Sequence, residues 1–203
     1  MDFQKKNVKN MCNFYASESH LALMLLPYLS KQMEKGEYFE TILKENIVEN
    51  IEEVISKLNL KQEIKEKMLN INWKTNEITG YKEIEDFMNN LINKEKEISI
   101  ILNGNIKQVE QINELINTWI SKNMNNLKKR DIKITTISCF KALEFKENID
   151  TIINKYDYAL NTSGEHKIEE IFNIYKKVIS YWLITLNIIY YILYNCKKEK
   201  LYG

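Results

Sequence analysis

Two hydrophobic periods alternate along the first 170 residues of this chain. Short apolar runs are followed again and again by longer segments whose apolar residues recur every three to four positions. Glu97–Leu102 (Glu-Ile-Ser-Ile-Ile-Leu) reads as a buried strand that stops at Asn103-Gly104. Ile106–Asn123 then places Ile106, Val109, Ile112, Leu115, Ile116, Trp119 and Ile120 on one helical face. Strand runs are also expected at 8–15, 38–43, 68–73, 131–140 and 156–160. Helices are expected at 17–35, 46–58, 61–67, 81–93 and 148–155, with Gly164 opening a last helical region. Strands separated by helices of ten or more residues cannot be hairpin partners. They need crossovers, which predicts an α/β fold with a mainly parallel sheet covered on both faces. Within 17–35, Ser17 suits an N-cap, Gly36 a stop, and Pro27 a kink or break.

Composition narrows the functional classes. The chain has 203 residues, 44% of them hydrophobic, so it can bury a core. Lys and Arg number 29 against 28 Asp and Glu, a net charge of +1. Such a balance gives no general drive toward nucleic acid, and direct nucleic-acid binding is not expected. With 5 Gly and 1 Pro, a many-turned all-β architecture is disfavoured. Cys12, Cys139 and Cys196 are too far apart for a disulfide framework or a zinc motif, and as free thiols they suit a reducing cytoplasm. The polar N-terminus does not read as a secretory signal.

The tail has a different character. Val178–Cys196 contains no charged residue and is flanked by Lys176-Lys177 and Lys197-Lys198. Nineteen helical residues just reach across a bilayer core, at about 1.5 Å each. Trp182, Leu186, Ile189 and Leu193 would mark a membrane or interface face, while Asn187 and four tyrosines dilute the apolar character. Three readings stand: a helix packed on the domain or in a homodimer interface, a C-terminal membrane anchor, and a poorly ordered end.

Chemical motifs are sparse. A parallel sheet invites a Gly-x-x-x-x-Gly-Lys-Ser/Thr phosphate loop after its first strand. Here that place holds Ala16-Ser17-Glu18-Ser19-His20, with no Gly, no Lys and a carboxylate that would repel a triphosphate. His20 and His166 are distant from each other and read as ordinary polar residues, so no metal or cofactor is expected. Cys12 and Cys139 lie in apolar strands, where inert buried thiols are the common case. Ser163-Gly164 lacks a nucleophile elbow, and the basic run at 122–133 suits a solvated helix end.

The order of several short motifs resembles the MEDS (methanogen/methylotroph DcmR sensory) domain family. They are Asn10-Met11-Cys12-Asn13-Phe14-Tyr15, Ser17-Glu18, Leu25-Leu26-Pro27-Tyr28-Leu29, Lys35-Gly36-Glu37, and the late strand Ile134–Phe140 ending in Cys139 and an aromatic. The resemblance covers about residues 8–173; the expected domain is 1–173, followed by a hydrophobic helix and short basic tail at 174–203 that the resemblance does not include. Two departures are clear. The family's leading His is Asn10 here, and its Gly-Glu-x-Ser-Trp segment is replaced by Asn103-Gly104-Asn105-Ile106. The resemblance implies a RecA/KaiC-like three-layer core without a phosphate loop, and a sensory role rather than catalysis. A ligand or a signalling partner would then sit at the C-terminal ends of the strands, where open α/β sheets place their crevices. Cys12, Tyr15, Ser17, Glu18, Asn103 and Cys139 are the candidate lining residues. Alternatives are a degenerate nucleotide-binding protein, a thiol enzyme using Cys12 or Cys139, and a scaffold tethered to the cytoplasmic face of a membrane.

Overall fold

A computed structural model describes residues 7–76, 78–142 and 152–170. The chain divides into two compact units, Met1–His166 and Lys167–Gly203. In the second unit, a helical turn begins at Ile168. The tail face at Trp182, Leu186, Ile189 and Leu193 lies outside the described residues, as does the expected boundary at 173/174. Among the described residues no helix is long and apolar enough to cross a membrane.

The first unit is α/β. Its strands are β1 (Val8–Tyr15), β2 (Tyr38–Leu43), β3 (Glu97–Asn103), β4 (Lys133–Lys141), β5 (Tyr158–Asn161) and β6 (Gly164–Lys167), the last running one residue past the unit boundary. They form one sheet in the order β2-β3-β4-β1-β5-β6. The pairs β2–β3, β3–β4, β4–β1 and β1–β5 are parallel. Only Thr162 and Ser163 separate β5 from β6, a connection short enough for a hairpin alone.

Helices cover both faces. On one side lie α1 (Glu18–Met33), α2 (Val48–Lys57) and α3 (Gln62–Leu69). On the other lie α4 (Tyr81–Lys94) and α5 (Ile106–Arg130), with α5 against β3 and β4. The core on the first side joins Leu21, Leu25 and Leu29 of α1 to Met11, Ile101 and Ile137 of the sheet, and extends to Ile51, Met68 and Trp73. Across the sheet, Ile116, Trp119 and Ile120 of α5 are fully buried.

Ser17 caps α1 as expected, its hydroxyl accepting from the His20 amide at 3.3 Å. Gly36 follows the helix with φ +90°, a conformation that penalises a Cβ. Of the kink or break expected at Pro27, no break occurs: the helix runs through it from Glu18 to Met33. Leu23 and Pro27 are both exposed on α1's outer face. The bond that proline removes therefore falls to the Leu23 carbonyl on the solvent side, where water is at hand.

Three other expectations are corrected. Met68–Trp73 is not a strand: α3 runs through Leu69, and a turn buries Trp73, whose indole donates to the Met68 carbonyl at 2.8 Å. The helix expected to end at Asn123 continues to Arg130, anchored by Arg130 donating to the Ile92 carbonyl and to Asn93. Gly164 opens strand β6 rather than a helix; its φ of +115° serves the hairpin.

Candidate functional site

β1 and β3 end at Tyr15 and Asn103, next to each other at the C-terminal edge of the sheet around β4. Strand alternation sends Met11, Asn13 and Tyr15 to the α1 side, and Cys12 and Phe14 to the α5 side. In a parallel sheet, residues in register share a face. One transverse row on the α1 side therefore reads Leu43, Asn103, Cys139, Asn13, Leu160 across five strands. All five are at most 2% exposed, so two amides flank a thiol in an apolar layer.

The amides are half satisfied. Asn103 Nδ2 donates to the Tyr15 hydroxyl at 2.7 Å, and Asn13 Nδ2 donates to the Leu160 carbonyl at 3.0 Å. Asn13 Nδ2 also lies 3.8 Å from Met24 Sδ of α1. Neither Oδ1 atom makes a hydrogen bond among the described residues, although both are buried. Buried carbonyl oxygens in that state ask for a donor.

Burial also sets the protonation states. It pushes the Cys12 thiol up to about 12 and the Cys139 thiol higher still, so both are protonated and unreactive at neutral pH. Tyr15 is raised chiefly by burial, partly offset by the Asn103 amide. Glu18 behaves in the opposite way. Lys141 Nζ donates to it at 2.7 Å and holds its carboxyl below the usual range. That ion pair sits in the first turn of α1, where a carboxylate also favours the helix dipole.

The structure thus brings Tyr15, Asn103 and Cys139 together, with Glu18 at the rim. It gives Ser17 to the α1 cap and places Cys12 on the far face of the sheet. Asn13 is the residue that sequence reasoning passed over. Its signal was an amide at the inward-facing position between the apolar Met11 and Tyr15. The histidines are engaged locally: His20 Nδ1 accepts from the Ala16 amide at 3.0 Å, and His166 Nε2 lies 2.7 Å from Ser163 Oγ. Among the described residues no set of three or more His, Cys, Asp or Glu side chains converges as a metal site.

No family model matches the chain, and no curated protein is similar to it.

Proposed function

We infer that the α/β unit is a non-enzymatic sensory or regulatory domain, akin to MEDS domains, that binds a small molecule at the C-terminal edge of its sheet. The observation that carries this reading is the pair of buried, unpaired carbonyl oxygens on Asn13 and Asn103, set on either side of Cys139. A ligand bringing N–H or O–H donors would satisfy them. Two features support regulation over catalysis: both described thiols are held protonated by burial, and the first turn of α1, just after β1, carries Glu18 where a nucleotide phosphate would sit. The central place of β1, between β4 and β5, supports a RecA/KaiC-like arrangement of the sheet.

Native mass spectrometry of the gently purified full-length chain tests this. The expected result is a retained small-molecule mass that is lost from a folded Asn13→Leu/Asn103→Leu variant. An empty wild-type chain, or a mass equally retained by the variant, overturns the reading.

A further inference from the structure

A second feature involves none of the residues proposed for that site. A groove of about 440 Å³ runs between the second half of α1 (Pro27, Tyr28, Lys31, Gln32, Lys35) and the β5–β6 hairpin (Asn161–Glu165). Its size falls in the range of small-molecule sites, roughly 300–1,000 Å³.

Its chemistry is lopsided, because the side-chain acceptors are already engaged from within the chain. Asn161 Oδ1 accepts from both the amide and the hydroxyl of Ser163, at 2.9 and 2.7 Å. Gln32 Oε1 accepts from Lys35 Nζ at 3.0 Å. Glu165 is gripped by Lys9 Nζ at 2.8 and 3.0 Å, so the carboxylate in the wall is neutralised. The next carboxylate along, Glu37, takes the Ser99 hydroxyl and feels the charges of Lys9, Glu97 and Lys35.

The donors are another matter. The Lys31 ammonium belongs to none of the ion pairs among the described residues and makes no side-chain hydrogen bond there; nor does the Asn161 amide nitrogen. Among the described residues the one hydrogen bond of the Lys35 ammonium goes to a neutral amide, with Glu37 as the nearby carboxylate, and the Thr162 hydroxyl lies exposed at the hairpin tip. A groove with filled acceptors, two ammonium groups and an open amide calls for a ligand that supplies oxygens and negative charge.

We propose that this groove binds a small anion carrying carboxylate or phosphate oxygens, held by Lys31 and Lys35 from α1 and by the Asn161 amide from the hairpin. Pro27 and Tyr28 supply an apolar floor for the ligand's carbon skeleton. The site uses none of Tyr15, Asn103, Cys139, Asn13 and Glu18.

The test titrates the full-length chain by calorimetry with inorganic phosphate in one arm and succinate in the other, at constant ionic strength. Saturable binding is expected in at least one arm, and the arm identifies the class of anion. Lys31→Gln/Lys35→Gln should weaken it at least about tenfold, Asn161→Leu several-fold, and Lys57→Gln, at an exposed pair with Glu53, not at all. Raising the salt should weaken binding, because these charges face solvent. Absence of saturation in both arms, or equal affinity in a folded Lys31→Gln/Lys35→Gln variant, overturns the proposal. The Asn13→Leu/Asn103→Leu variant should bind phosphate or succinate as the wild type does, which separates failure here from failure of the edge site.

Discussion

The contact between Tyr15 and Asn103 permits a test in which two single substitutions at one hydrogen bond have unequal costs. Both side chains are buried, and the bond measures 2.7 Å. Tyr15→Phe leaves the Asn103 amide without its acceptor, beside an Oδ1 that already lacks a donor. Leaving one buried polar group unpaired costs about 1–3 kcal/mol. Asn103→Leu breaks the same bond and strands the Tyr15 hydroxyl, but it also removes the unpaired carbonyl oxygen. The two terms are of similar size and opposite sign, so the net cost is near zero. The double variant replaces both partners with apolar groups and should lie within about 1 kcal/mol of wild type. Urea unfolding followed by circular dichroism reads these differences directly. With a slope of about 2 kcal/mol per M, Tyr15→Phe should move the midpoint down by about 1 M. A Tyr15→Phe midpoint unchanged within about 0.2 M would refute the reasoning. So would an Asn103→Leu variant that falls as far as Tyr15→Phe.

Two carboxylates should titrate with opposite signs. Glu18, lowered by Lys141, stabilises the fold above its unfolded value of about 4.3, and the benefit fades as pH falls through its lower folded value. Glu18→Gln should therefore reduce the melting temperature at pH 7 and converge with wild type in acid. Glu37 is raised by burial, so its ionisation opposes folding at neutral pH. Glu37→Gln should raise the melting temperature at pH 7, and that gain should vanish as pH falls below about 4.3; melting curves from pH 3 to 8 check both signs. In a Cys196→Ser background, Cys12 and Cys139 should react with a disulfide reagent only as fast as the protein unfolds. Labelling of the native protein within seconds would contradict the burial described here.

Most of the architecture was written in periodicity. β1, β2, β3 and α4 stand within a residue or two of where their apolar spacing put them, because each packs one continuous stripe against the sheet. The failures have physical causes. Met68–Trp73 has the apolar density of a strand, but its side chains fill space under α1 and α2 from a helix end and a turn. The last two turns of α5 carry few apolar residues. Leu127 and the Arg130 contact to Ile92 hold them, and no period displays that. The β5–β6 hairpin turns on Thr162-Ser163 before Gly164, a weak signal beside the helical pattern that follows it. At the site, Tyr15, Asn103 and Cys139 could be gathered because each lies near the end of an expected parallel strand. The transverse row could not, since register between distant strands is set by tertiary packing. Asn13 emerged only with that register.

The place of β1 bears on how the chain must be made. Asn10 and its neighbour in the sheet, Thr136, are 126 residues apart. Both strands that flank β1 come from residue 133 onward. At about 5–20 residues per second of synthesis, roughly 6–25 s pass between the emergence of the two halves of that ladder. Throughout this interval β2 and β3 can pair with each other, while β1 has no neighbour to join. The first strand of this sheet to be made therefore gains its hydrogen bonds only once β4 emerges, and the sheet is completed from its β2 edge across to β5 and β6.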